Sequence, residues 1–390
     1  MTVLNDSSLP AAAPFDAAAV ERAERLLKSL SERPSLCGVL GFDGFVDEII
    51  DVVDHRSSPE RYERIETIAA FAERIGRAAG LSTNLELVSR QVKLGGNGPI
   101  MANALLALGA DITYIGSLGS PEIHPVFHEM VERCRRVISL APPGHTDALE
   151  FRDGKVMLGK LESLKDVTWE NILRHVPPPE LTAALASADL LAMVNWTMLP
   201  GLTEIWERLR AELLPAVAAQ RRRPLLTFFD LSDPEKRPQA ELRAALAAID
   251  EWGRVSRAVL GLNLKEARQV AAALGGPDFA RADELAAAIA AALPHLHAVV
   301  VHPSDEAAAA CSGTTFRVAG PYTPSPRLTT GAGDNFNAGL CLGLAGELDM
   351  AAALALGTAT SGFYVRHAHS PSLPEVASFL EAWRSGELSS

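Results

Sequence analysis

Near its C-terminal end the chain reads Leu328-Thr329-Thr330-Gly331-Ala332-Gly333-Asp334-Asn335-Phe336-Asn337-Ala338-Gly339. Gly-Ala-Gly is a backbone almost bare of side chains, set directly before an apolar helical run from Phe336 to Ala345. Such a turn can aim several N–H groups at one point, and the start of the helix adds partial positive charge there. Asp334 falls in the first turn and can face the same point. An anion cradle beside a carboxylate suits phosphoryl transfer to an alcohol. The carboxylate takes the hydroxyl proton while the amides stabilise charge on the phosphoryl oxygens. The tetrapeptide alone is equally consistent with a plain strand-to-helix turn capped by an Asp.

Three further strings carry groups that could act. Leu94-Gly95-Gly96-Asn97-Gly98-Pro99 leads into a helical segment stopped by Gly109, and Ile112–Gly116 follows as a strand. Paired glycines let backbone approach a ligand closely; a glycine-rich turn before a core helix is the plainer alternative. Val39-Leu40-Gly41-Phe42-Asp43-Gly44-Phe45-Val46-Asp47 is an apolar strand that ends in glycines and aspartates. A carboxylate there can accept bonds from two neighbouring hydroxyls, and Asp is also a turn former. Gly261-Leu262-Asn263-Leu264-Lys265-Glu266-Ala267 sets Asn263 three residues before Glu266 at a helix start, which read alone is nearly a capping box.

In their order along the chain, Gly95-Gly96, then Asn263-x-x-Glu266, then Gly331-Ala332-Gly333-Asp334, with the Val39–Asp47 strand ahead of them, the four strings resemble the ribokinase-like (PfkB) carbohydrate kinases, over about Val39 to Leu380. The resemblance implies that Asp334 is the catalytic base and that Gly331, Ala332 and Gly333 form the anion hole. It implies that Asp47, Gly95, Gly96 and Asn97 hold the hydroxyls of a sugar, with Asp43 as the alternative to Asp47. Asn263 and Glu266 are expected to order Mg²⁺ and its waters, and Asn263, Ser304 and Asn337 to contact the nucleotide. The expected reaction moves the γ-phosphoryl group of ATP, with ADP as the alternative donor, to a primary hydroxyl of a carbohydrate. A nucleoside or vitamin kinase of the same fold is the runner-up. A non-catalytic sugar-binding regulator is a third reading, which the intact Asp334 argues against. The chain departs from the family pattern at three places. Ile100 stands where Asn is usual, Leu328 where Asp is usual, and His302-Pro303-Ser304-Asp305-Glu306-Ala307 where Thr-x-Gly-x-x-Gly is usual.

The elements that must hold these groups alternate. Short apolar strands are predicted at 38–41, 112–116, 190–195, 225–230, 258–262, 298–302 and 314–318. Helices are predicted between them at 100–108, 121–136, 202–220, 239–252, 264–274 and 282–293. That alternation means an α/β fold with a mostly parallel central sheet and helices on both faces. Ligands in such folds bind beyond the C-terminal ends of strands, where Asp43 or Asp47, Asn195, Asp230, Asn263 and Ser304 fall. Shorter pieces at about 48–53, 87–94 and 147–158, with Asp153-Gly154 as a hairpin turn, resemble the family's small β-sheet lid, and a helical insertion is expected over about 59–80. The kinase domain is expected to span 37–380, between an N-terminal tail and helix (1–36, the helix at 17–30) and a C-terminal tail (381–390). A homodimer through the lid is expected.

Composition narrows the partners. The chain has 390 residues, 48% hydrophobic and 22% charged, with a net charge of −12. A nucleic-acid backbone wants basic surface, so nucleic acid is not an expected partner. Cys37, Cys134, Cys311 and Cys341 are far apart and read as reduced thiols of a cytoplasmic protein. No apolar stretch reaches the length of a membrane span. The chain lacks Gly-x-x-x-x-Gly-Lys-[Ser/Thr] and the third glycine of a dinucleotide fingerprint, which excludes a P-loop enzyme and disfavours a nicotinamide dehydrogenase. His295, His297 and His302 read as structural, and Arg90 and Lys93 are the cations available to a phosphorylated sugar.

Overall fold

The computed structural model describes residues 13–30 and 35–388. Residues 1–12 of the expected N-terminal tail lie outside the described residues. The strands in chain order are β1 (Cys37–Phe42), β2 (Phe45–Ser58), β3 (Arg61–Arg64), β4 (Leu87–Gly95), β5 (Asp111–Gly116), β6 (Arg136–Ser139), β7 (Gly144–Phe151), β8 (Gly154–Lys160), β9 (Leu190–Met193), β10 (Leu226–Asp230), β11 (Arg257–Leu262), β12 (Ala298–Val301), β13 (Glu306–Cys311) and β14 (Thr314–Ala319). They form a nine-stranded sheet in the order β14-β13-β12-β11-β10-β9-β1-β5-β6 and a separate five-stranded sheet built on β2. In the large sheet every pair from β6 to β12 is parallel, and only the β12–β13 and β13–β14 pairs are antiparallel.

The short apolar strands are buried on both faces, as parallel strands between helical layers must be. Side chains alternate between two cores. Leu191, Met193, Leu260 and Leu262 face one layer of helices, and Leu190, Ala192, Val194 and Val259 face the other. On the first side Phe229 lies edge-on between Trp206 (5.2 Å) and Trp252 (5.7 Å), contacts worth about 0.5–1.5 kcal/mol each beyond burial. The helix Ala332–Ala345 lies in the other layer, between Met101 and Leu105 on one side and Leu354 and Leu356 on the other.

The small sheet has its own core of Ile50, Val52, Ile65, Leu149 and Phe151, against which Ile68 and Phe71 pack. The helical insertion expected over 59–80 begins instead as strand: Arg61–Arg64 pairs with β2, and only Ile68–Gly76 is helical. The hairpin turn lies one residue earlier than expected, on Arg152-Asp153, with Phe151 opposite Gly154. Asp153 caps the insertion helix by accepting from the Ile68 amide at 2.9 Å.

The domain limits also differ. The helix Leu373–Ser385 runs through the expected boundary at 380. The helix Ala17–Leu30 buries Val20, Ala23 and Leu27 in the same core as Leu380. The Arg22–Asp349 ion pair joins the first helix to the body and Arg384–Glu24 joins the two terminal helices to each other, so both belong to one unit with it.

Candidate active site

Four buried carboxylates gather at the C-terminal ends of the parallel strands. Asp43 follows β1, Asp230 ends β10, Glu266 lies in the first turn of the helix after β11, and Asp334 lies in the first turn of Ala332–Ala345. Burial is the largest cause that raises the pKa of each. It pushes Asp43 and Asp230 up to about 6 and Glu266 to about 7. Asp334 is pushed well above the usual carboxylate range, first by burial and then by the charge of Asp230. Like charges held together out of water cannot all ionise freely. Such a cluster marks a place made for a cation, a transferred proton, or both.

The segment Gly95-Gly96-Asn97-Gly98 touches three carboxylates in turn. A Cβ on Gly95 would lie 2.4 Å from Cγ of Asp47. Gly96 has φ +92, which favours glycine, and a Cβ there would lie 2.7 Å from Asp43 Oδ2. Asn97 Nδ2 donates to Asp334 Oδ1 at 2.9 Å. The Gly98 amide donates to Asp43 Oδ1 at 2.8 Å. The other oxygen of Asp43 accepts from Asn195 Nδ2 at 2.6 Å. Asn195 itself adopts φ 63, and its Oδ1 is buried without a protein partner among the described residues.

Asp47 stands apart from this cluster. It lies in β2 of the small sheet, opposite Lys93 on β4 and Thr146 on β7. Burial raises its pKa; Lys93 and a hydrogen bond from Thr146 oppose the rise. Arg90 is engaged with Asp51 at 2.7 Å.

The glycine turn has the shape its composition predicts. Gly331 caps the helix at φ +90, and a Cβ there would meet the Tyr364 hydroxyl at 2.8 Å. One expectation changes. The Ala332 amide donates to the Thr329 carbonyl at 3.1 Å and is already engaged. The first donor within the helix is Asn335 N to Gly331 O. The Gly333 and Asp334 amides lie between these two, at the end where a helix leaves its N–H groups without internal acceptors.

Asn263 and Glu266 form a full capping box. The Asn263 side chain accepts from the Glu266 amide, and Glu266 Oε2 accepts from the Asn263 amide at 3.0 Å. Glu266 Oε1 accepts from the Asp233 amide, also at 3.0 Å. Both oxygens are thus oriented by backbone, and Glu266 lines an open space together with Asp230.

That space is a cavity of about 660 Å³. Asn97, Asn263, Glu266, Ser304 and the run Gly331 to Asp334 all line it, as does Asp230. Asn337 does not. It is buried beneath Asp230, to whose Oδ2 it donates at 3.3 Å. It therefore orients a carboxylate from below rather than facing the cavity as expected. Asp47, Gly95 and Gly96 lie outside the lining, joined to it through Asn97. Three strand-end residues to which the family resemblance gave no role also stand here: Asp230 and His302, the latter read as structural from the sequence, line the cavity, and Asn195 reaches the carboxylates by donating to Asp43. His302 stacks on Phe336 at 4.5 Å, and burial lowers its pKa to about 4, so it is neutral at pH 7. Their common signal is position, one residue at the end of each of three parallel strands.

The chain matches the family described as prokaryotic ketohexokinase over residues 15–383. It is 32% identical to a ketohexokinase of Haloferax volcanii over 375 residues, which span 94% of this chain and 97% of that protein. Among solved structures it resembles Arabidopsis thaliana ribokinase complexed with ribose and ATP, with a TM-score of 0.61 and 16% identity over 89% of this chain and 99% of the other. It also resembles an Escherichia coli phosphofructokinase-2 variant, with a TM-score of 0.61 and 15% identity over 90% of this chain and 100% of the other. These two likenesses bear on the fold, which is ribokinase-like.

Proposed function

The chain belongs to the prokaryotic ketohexokinase family of carbohydrate kinases, and on that premise we propose that it transfers the γ-phosphoryl group of ATP to a primary hydroxyl of a ketohexose. The observation that carries this reading is Asp334, a buried carboxylate at a glycine-built helix start, held by Asn97 and open to the cavity. Asp334 takes the proton of the attacking hydroxyl. Its raised affinity for protons makes it a competent base near neutral pH once ionised. The Gly333 and Asp334 amides, with the partial positive charge of the helix start, hold the oxygens of the group in transfer. Gly331 supplies the left-handed turn that aims them.

The sugar is placed between Asn97 and the small sheet. Asp47 accepts from its hydroxyls, Gly95 and Gly96 leave room for it, and the unpartnered Asn195 Oδ1 offers a further acceptor. Asn263 and Ser304 face the nucleotide side of the cavity.

The oxygen donors present fit Mg²⁺. Asp230 and Glu266 are hard oxygen ligands at the cavity wall; burial raises the pKa of both, the charge of Asp230 raises that of Glu266 further, and a divalent cation beside them would relieve that repulsion. A Mg²⁺ held by these two carboxylates would supply positive charge against the phosphates. Asn263, Asn337, Ser232 and the Asp233 amide orient the two carboxylates.

A panel of ketohexoses, aldohexoses, ribose and nucleosides, each offered with ATP and Mg²⁺ and scored by ADP release, tests the substrate class. A ketohexose is expected to give the highest kcat/KM. A nucleoside or ribose in first place would replace this reading with the nucleoside or pentose kinase alternative.

A further inference from the structure

Away from the cavity, three side chains of the small sheet meet on one face. β2 and β7 run parallel with Glu48 opposite Asp147. His145 precedes Asp147 by two residues, so all three project to the same side. His145 Nε2 lies 2.9 Å from Asp147 Oδ1 and 3.2 Å from Glu48 Oε2. One ligand atom from each residue lies within 4.8 Å of the other two. Zinc bonds of about 2.0–2.1 Å in a tetrahedral site put ligand atoms about 3.3 Å apart. The separations from the imidazole therefore already match edges of that polyhedron.

The surroundings suit a cation more than a bare ion pair. The side chains of His145, Glu48 and Asp147 are 32%, 27% and 13% exposed, partly shielded yet reachable. Lys160 Nζ donates to both oxygens of Asp147, at 2.8 Å to Oδ2 and 3.0 Å to Oδ1, so a cation bound at Oδ1 must displace the ammonium from that oxygen. That lysine side chain is 65% exposed, and an exposed ion pair of this kind is worth only about 0–1 kcal/mol. By register, Val92 on β4 stands opposite Glu48 and Leu158 on β8 opposite Asp147, so apolar side chains flank the polar trio. Ligands on paired strands are placed more rigidly than ligands on loops.

We propose that Glu48, His145 and Asp147 form a binding site for a divalent transition-metal cation, of the Zn²⁺ class, that pins β2 to β7. One imidazole with two carboxylates selects Zn²⁺ and similar ions over Mg²⁺. The consequence reaches the opposite face of the sheet. Asp47 adjoins Glu48, and Thr146 lies between His145 and Asp147, so the ion clamps the two strands that carry the Asp47–Thr146 hydrogen bond. The site stands on its own geometry and does not depend on the phosphoryl-transfer reading.

Co²⁺ is the probe, because its visible bands are intense in four-coordinate sites and faint in six-coordinate ones. Chelator-treated full-length protein is expected to develop an intense band that saturates at one equivalent and is displaced by Zn²⁺. His145→Ala should abolish the band while keeping the far-UV circular dichroism. Glu48→Gln, which keeps the side-chain shape, should weaken Co²⁺ at least about tenfold. Glu266→Gln should leave the band unchanged, which separates this site from the cavity carboxylates. The proposal is overturned by the lack of a saturable band, by His145→Ala or Glu48→Gln titrations that superimpose on the wild type, or by a band that Glu266→Gln removes.

Discussion

Asn97 Nδ2 donates to Asp334 Oδ1 at 2.9 Å across 237 residues of sequence. One residue thus joins the helix start that follows the paired glycines to the helix start built on Gly331-Ala332-Gly333. The bond also lowers the pKa of Asp334 against burial and the charge of Asp230. Asn97→Ala removes that help, so Asp334 should hold its proton to higher pH. The acidic limb of the kcat/KM profile is expected to move to higher pH, and an unmoved limb would separate Asn97 from the titration of the base.

Glu266→Gln distinguishes a cap from a cation ligand. The capping box stabilises by about 1 kcal/mol, and Gln keeps an oxygen for one of the two backbone amides. The proposed role predicts a higher Mg²⁺ requirement and a lower kcat. The experiment reads initial rates across Mg²⁺ concentrations beside a thermal melt. Lost thermal stability with unchanged Mg²⁺ dependence would leave the residue as a cap alone.

Asp43 and Asp47 should separate cleanly. Asp43 is fully buried, and Asp43→Ala leaves the Gly98 amide and Asn195 Nδ2 without acceptors, at roughly 1–3 kcal/mol for each group. Asp47→Ala should cost less stability and more sugar affinity. Urea denaturation together with calorimetric sugar titration measures both. Equal sugar affinity in Asp47→Ala and the wild type would move the sugar contact off β2.

The carboxylate cluster sets the pH dependence of folding. Asp43 and Asp230 have pKa values of about 6 and Glu266 of about 7 in the folded protein, against about 4 in an unfolded chain. Between these values the folded protein binds more protons than the unfolded chain, so its stability falls as pH rises. The contribution is complete below about pH 4 and lost through about pH 7. Mg²⁺ at Asp230 and Glu266 would replace protons there. The Tm gain from Mg²⁺ should therefore be larger at pH 8 than at pH 5; a gain independent of pH would place the cation elsewhere.

Much of this architecture was legible in local patterns. The helix at 17–30 and the strands around 37–42, 226–230 and 257–262 follow from apolar runs with clear stops. Reading failed where composition and context disagree. Glu306–Cys311 is mostly alanine, a helix former, yet it forms a buried strand because β12 and β14 pair it on both edges. The helix expected over 121–136 is cut to Pro125–Phe127 and His128–Arg133, since Pro121 and Pro125 lack the N–H that a helix interior needs. The stretch 202–220 is helical but loosens to a π turn at Leu209–Leu213, just before Pro215. In the site, glycine spacing pointed to the cradle and to Asn97. It could not show that the Ala332 amide is spent on Thr329 or that Asn337 serves Asp230, because both depend on which way a turn or helix faces. Asp230 and Asn195 each look like an ordinary loop start until the sheet order sets β9 and β10 beside one another.

The most direct test of the account is single-turnover phosphoryl transfer from ATP to the best ketohexose, by the wild type and by Asp334→Asn, with sugar and nucleotide affinities measured on both. Asn keeps the shape and the contact with Asn97 while removing the base. The account predicts transfer slowed by about 10²–10⁴ with both affinities nearly unchanged. Transfer by Asp334→Asn at a rate close to the wild type would contradict it, because the proton would then leave by another group.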